Sequence, residues 1–214
     1  MNPMVERSYR GWLVCLALVG VSLDQWTKYA VFDWLHARAV TQLADRREPQ
    51  GEYEIVPGAF RLLAQFKVAD TPGGAWIDTT LTRDPKVNQG ALFGFAGKYG
   101  HIANWIFAGV SIVAALAILI WSRRPGTAKD FALCAALGLI LAGTLGNLYD
   151  RVIFNGVRDF LYFYWIEWPV FNVADCCLVC GAGLLLLQAF LSQPAANSVP
   201  AAETALVSQV AEAS

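Results

Sequence analysis

Two carboxylates, Asp159 and Asp175, stand beside the hydrophobic segments near the C-terminal end of the chain, within Val-Arg-Asp-Phe (157–160) and Phe-Asn-Val-Ala-Asp (171–175). A charged side chain at bilayer depth costs about 3 kcal/mol or more, so acids retained there are candidates for chemistry. If the two approach closely, both cannot readily ionise and one keeps a proton near neutral pH. That leaves an acid and a base poised for hydrolysis. The competing reading makes each an interfacial helix cap, satisfying free N–H groups and favouring the dipole. Spacing alone leaves the two readings level.

Other polar residues interrupt the apolar stretches. Asp24 and Lys28 are four apart, share one helical face and can pair, either as a self-neutralising structural pair or as support for an active site. Gly143, Gly146, Asn147, Asp150 and Arg151 close another stretch. Gly143, Asn147 and Arg151 fall on one stripe, where glycine permits close helix contact and the amide needs buried partners. If the cluster only packs helices, Asp150 and Arg151 form an interfacial pair. Asn172, three before Asp175, lies on the same face and is placed to orient that acid. Asn88-Gln89-Gly90-Ala91-Leu92-Phe93-Gly94 reads by itself as a turn with an aromatic anchor.

The elements that must position these groups are membrane helices. The 214 residues are 56% apolar and only 15% charged, too hydrophobic for an ordinary soluble domain. A formal net charge of -1 and the lack of any dense basic stripe argue against nucleic-acid binding. Four stretches, near 11–34, 102–121, 130–150 and 170–191, are long enough to cross a hydrocarbon core. The first, with no convincing small-x-small site before Asp24, reads as an uncleaved span. The fold expected is therefore an all-α polytopic protein of four transmembrane helices with a small extracytoplasmic β-sheet.

Arg7 and Arg10 precede the first span, and Arg123, Arg124 and Lys129 fill the short connection between the second and third. The positive-inside rule puts both regions, and both termini, in the cytoplasm. Asp159 and Asp175 then share the external rim. Within the external segment 35–101, the run from Glu52 to Val68, broken at Pro57-Gly58, predicts an antiparallel strand pair, and Trp76 to Thr82 another strand. Residues 192–214, rich in Ala, Ser, Val and Pro, read as a flexible cytoplasmic tail after one membrane domain, 1–191. Cys15, Cys134, Cys176, Cys177 and Cys180 all lie in apolar runs and read as buried, inert thiols rather than disulfides or a metal clamp. His36 and His101 read as interfacial.

Taken in order, Leu-Asp-Gln-Trp-Thr-Lys (23–28), Asn-Gln-Gly-Ala-Leu-Phe-Gly (88–94), Gly-Asn-Leu-Tyr-Asp-Arg (146–151), Val-Arg-Asp-Phe and Phe-Asn-Val-Ala-Asp resemble the lipoprotein signal peptidases, or signal peptidase II. These are bacterial inner-membrane aspartyl peptidases that remove the signal peptide from prolipoproteins before a diacylglyceryl-modified cysteine. The resemblance covers roughly residues 10–190. It implies Asp159 and Asp175 as the catalytic dyad, and Asp24, Lys28, Asn88, Gly90, Asn147, Arg151 and Asn172 as substrate-binding or supporting positions. It further implies a diacylglyceryl prolipoprotein substrate, contact with membrane lipid, inhibition by globomycin-type compounds and no metal or organic cofactor. Two features depart from the pattern: Cys176 stands where a serine is common, and the Lys28 to Asn88 interval is long enough to hold an insertion near 38–52 or 69–86. A proton-coupled carrier and a non-catalytic scaffold are the rival readings. The gathering of the acids toward one face and the lack of an inverted repeat count against the carrier.

Overall fold

The computed structural model describes residues 8–42, 50–67, 85–90 and 100–191. Four long helices carry the fold: α1 (Arg10–Gln42), α2 (Gly100–Trp121), α4 (Phe131–Phe154) and α5 (Val173–Leu191). A short helix α3 (Pro125–Lys129) links α2 to α4. Among the described residues α2, α4 and α5 are long and apolar enough to cross a membrane. Helix α1, at 33 residues or about 50 Å, packs along α4 but carries Asp24 and Lys28 in its middle.

The burial pattern is inverted relative to a soluble protein. Asp24, Lys28, Asn147, Asp150, Arg158 and Asn172 are buried, while Leu18, Val113, Val179, Leu187 and Phe190 face outward. This is the arrangement lipid demands, because polar groups there must find partners within the protein. Helix α4 is central and touches α1, α2 and α5. Its start is capped by Asp130, whose carboxylate accepts from the Leu133 N–H and also from Gln188 on α5. Its end is Asn155 in the left-handed conformation, whose side-chain oxygen accepts from Asn104 and meets His101 Nδ1 at 3.1 Å.

One end of the bundle is pinned by backbone contacts. Tyr9 N–H donates to the Ala128 carbonyl at 2.7 Å, and the Arg10 guanidinium donates to the carbonyls of Ser122 and Arg123. The two basic regions expected on one side therefore do meet. At the opposite end lies a three-stranded antiparallel sheet in the order β1 (Gln50–Val56), β2 (Phe60–Gln65), β3 (Leu161–Phe163). The expected strand pair is β1 and β2, turning at Pro57-Gly58 with Gly58 at φ 78°. The expected strand at 76–82 and the tail 192–214 fall outside the described residues.

A third strand, β3, comes from the 151–169 connection, to which the sequence reading assigned no strand. Three residues are too few for a visible alternation, and β3 holds because β2 supplies its partners. Helix α1 runs eight residues past its expected end at 34 for a related reason. Leu35 and Ala39 are fully buried against Ala64, Phe66 and Phe160, so the sheet gives the extra turns an apolar surface to cover. The cysteines also differ from expectation: Cys134 is buried, but Cys15 and Cys180 are exposed on the outer surface of the bundle. An apolar run in a membrane helix has a lipid-facing side, so hydrophobic context did not imply burial.

Candidate active site

The site forms where the α4 end, the segment leading to β3 and the start of α5 converge. Asn172 immediately precedes α5, and Asp175 lies in its first turn. The two make a reciprocal cap: Asn172 N–H donates to Asp175 Oδ2 and Asp175 N–H donates to Asn172 Oδ1, each at 3.1 Å. Asp175 is thus a helix cap, as one of the two readings held. The remaining contacts of the pair go well beyond capping.

Asn172 Nδ2 donates to Asp159 Oδ1 at 2.7 Å, so one asparagine holds both carboxylates. Asn147, on the inner face of α4, donates through Nδ2 to Asp175 Oδ1 at 2.8 Å and accepts from Asn172 at 3.1 Å and from Lys28 Nζ at 3.2 Å. Asn88 donates to Asp159 Oδ2 at 3.0 Å. Its own backbone is fixed by a two-way pairing with Val157, 2.8 Å in each direction. Gly90 completes this loop by donating its N–H to Asn88 Oδ1 at 2.9 Å. Its φ of 102° suits glycine, and a Cβ there would lie 2.5 Å from the Phe107 ring. Burial, reinforced by the charge of Asp175, pushes Asp159 up from 3.8 to about 7, against the opposing hydrogen bonds from Asn88 and Asn172.

Beneath the two acids lies a buried cluster of four charges. Lys28 Nζ is 2.9 Å from Asp24 and 3.4 Å from Asp150, and the Arg158 guanidinium binds both oxygens of Asp150. The Arg158 guanidinium carbon also stacks 4.2 Å from the Tyr29 ring and 4.1 Å from Phe154. The two cations balance the two anions, which is what makes such burial tolerable. Gly146 and Gly143 provide the room. A Cβ on Gly146 would lie 2.6 Å from Asp24 Oδ2, and one on Gly143 would run into the Ala174 carbonyl.

Of the residues singled out from sequence, Asp24, Lys28, Asn88, Gly90, Asn147, Asp159, Asn172 and Asp175 come together in this one network. Arg151 stands at its edge, donating to the Asn147 carbonyl with its guanidinium carbon 5.5 Å from the Phe107 ring. The expected Asp150 and Arg151 pair is not made. One step along a helix turns a side chain about 100°, and Asp150 points inward to Lys28 and Arg158 instead. Gln25 and Arg158 were missed altogether. Arg158 had a signal, since extended backbone sends neighbouring side chains to opposite faces and places it behind Asp159. Among the described residues no group of three or more His, Cys, Asp or Glu has a metal-binding arrangement. A cavity of about 800 Å³ walled by Trp26, Tyr29, Phe32, Trp34, Phe66 and Phe154 reaches Arg158 from the far side and touches neither acid of the pair.

Comparison with known proteins bears on this geometry. A lipoprotein signal peptidase of Symbiobacterium thermophilum is 34% identical over 180 residues, covering 83% of this chain and 93% of that protein. Those of Pseudoalteromonas translucida and Yersinia pestis are each 40% identical over about half of this chain, 50% and 52%, and the matches span 64% and 67% of their own lengths. Two solved bacterial membrane enzymes share the fold with TM-scores of 0.62 and 0.60 at 22% identity, covering 90% and 92% of this chain and 100% and 99% of theirs. The family model for signal peptidase (SPase) II matches residues 16–191, from within α1 to the end of α5, and so includes both carboxylates and all of the network that holds them. The chain belongs to the signal peptidase II family.

Proposed function

We propose that this protein is an aspartyl endopeptidase of the bacterial inner membrane that removes the signal peptide from diacylglyceryl-modified prolipoproteins, cutting before the lipidated cysteine. The observation that carries the reading is the joint hold of Asn172 on Asp159 and Asp175, with Asp159 raised to about 7. At about 7, Asp159 keeps its proton on a large share of molecules at neutral pH. Asp175 sits in the first turn of α5, where the dipole favours negative charge, and is assigned the general-base role. It takes a proton from a water between the acids as that water attacks the carbonyl before the cysteine. Protonated Asp159 hydrogen-bonds the carbonyl oxygen as it gains charge. Collapse of the tetrahedral intermediate breaks the C–N bond, and the dyad returns a proton to the leaving amine.

Asn88, Asn147 and Asn172 orient the acids or the substrate backbone, and Arg151, at the rim, binds a main-chain carbonyl of the substrate. Helix α1 serves as a fourth span, its two central charges neutralised within the bundle. The end carrying Arg10, Arg123, Arg124 and Lys129 faces the cytoplasm, by the positive-inside rule, and the sheet and dyad face the other side. The two acyl chains of the substrate stay in lipid between helices, and globomycin-type compounds should inhibit the cleavage.

The test is direct. Purified protein in lipid should release the signal peptide from a diacylglyceryl prolipoprotein. Asp159→Asn and Asp175→Asn should each lower kcat on the order of 10³-fold while insertion is unchanged. Full activity in either variant would sink the mechanism.

A further inference from the structure

Each acid of the proposed dyad is preceded by a residue whose backbone N–H is held by a buried carboxylate from elsewhere in the fold. Arg158 N–H donates to Asp150 Oδ2, and Ala174 N–H donates to Asp24 Oδ1, both at 2.9 Å. Ala174 lies in the first turn of α5, where backbone N–H groups lack a helical partner, so Asp24 supplies what the helix cannot. The two gripping acids would repel one another if left alone. One turn of α1 joins them. Lys28 reaches both, and Gln25 Nε2 donates to Asp24 at 2.9 Å and to Asp150 at 3.2 Å. Gln25 also donates to the Gly146 carbonyl at 3.1 Å, and its Oε1 accepts from Arg158 at 2.8 Å.

We infer that Gln25 and Arg158 are positioning residues, forming with Asp24, Lys28 and Asp150 a yoke that sets the separation of Asp159 and Asp175. The inference rests on the aspartyl reading given above for the role of those two acids. Neither Gln25 nor Arg158 hydrogen-bonds to either acid of the dyad; each acts through the peptide unit in front of it. Arg158 is buried behind Tyr29 and Phe154, and the cavity that reaches it touches neither acid of the pair. A displacement of either peptide passes directly to the carboxylate that follows. A 1 Å misplacement of a reacting group costs up to about 100-fold in rate.

Gln25→Leu keeps the bulk of the side chain and removes the tie. The expected result is a fall in kcat between about tenfold and 100-fold with KM within about twofold, because substrate contacts are untouched. Amide exchange should speed up at Arg158 and Ala174 together in the same variant, and this readout needs no activity. Asp159→Asn tests the aspartyl reading separately, so a failure there is distinguishable from a failure of the yoke. Arg158→Lys keeps a cation against Asp150 but gives up the fork, and should lose less kcat than Arg158→Met, again at constant KM. Wild-type kcat in Gln25→Leu, a loss confined to KM, or unchanged exchange at both amides would overturn the inference. Should Gln25→Leu fail to insert, the arginine pair decides: equal kcat in Arg158→Lys and Arg158→Met overturns it, and graded loss supports it.

Discussion

Helices α1 and α4 meet in two regions of opposite chemistry. Toward the basic end, Leu13 and Ala17 pack on Cys134, Leu137 and Leu141, with Ala115 and Ile118 of α2 closing the cluster. Toward the sheet, the same two helices bring Asp24, Gln25 and Lys28 against Gly146, Asn147 and Asp150. In a bilayer the first contact gains little from apolar burial, since lipid is equally apolar, and it depends on shape. The second has no substitute in lipid, because each group would otherwise be an unpaired charge or amide. The polar region therefore binds these helices more strongly and dictates which residues face which, and the apolar region adds a fit of shape.

The sharpest way to break this contrast is Lys28→Met. It leaves Asp24 and Asp150, both fully buried, with two cations reduced to one. Removing one partner of a buried ion pair costs about 3–5 kcal/mol, and cleavage should fall with it. Unfolding in mixed detergent measures the first and the lipoprotein assay the second. Adding Asp24→Asn to Lys28→Met removes one anion and should recover part of the stability without restoring the rate. A double variant no more stable than the single would mean that charge balance is not what holds this region.

Leu137→Ala is the matching change in the apolar region. Leu137 is 1% exposed, and truncation of such a side chain costs about 2–5 kcal/mol in soluble proteins; the low end is expected here, where lipid competes for the same contacts. The rate per folded molecule should stay at the wild-type value. A fall in kcat without a fall in stability would erase the distinction between the two regions.

That distinction also marks what the sequence makes legible. Helices α2, α4 and α5 were visible because an apolar run of span length has few alternatives, and the end shared by Asp159 and Asp175 followed from the basic residues at the other end. The partners within the polar region were not. Asp150 could be paired with its neighbour Arg151 on paper, yet its carboxylate turns to Arg158, eight residues on and beyond a helix end. Local spacing predicts pairs inside one helix, as for Asp24 and Lys28, but not across a chain reversal. Strand β3 and the extra turns of α1 escaped for the same reason, since each is stabilised by a surface that another segment supplies.

The smallest effect tests the electrostatics of the polar region alone. The groups facing Asp159 are Asp175 and Asn172 from the start of α5, Asn88 from its loop, Lys28 from α1 and Arg151 from α4. Burial and then the Asp175 charge raise Asp159, and the Asn88 hydrogen bond opposes them by favouring the ionised form. Asn88→Ala removes that opposition, so the folded value should rise above about 7. Since the mechanism needs Asp159 protonated, the alkaline limb of kcat/KM should move upward, by less than about one pH unit for a single neutral donor. Stability carries the same sign. A raised carboxyl binds more protons folded than unfolded between its ordinary value of 3.8 and about 7, so the fold weakens as pH rises through that window. In Asn88→Ala the weakening should extend to higher pH, read as a fall in Tm that continues past the point where the wild type levels off. A limb that moves downward, or a Tm profile identical to the wild type, would show that Asn88 holds something other than the charge of Asp159.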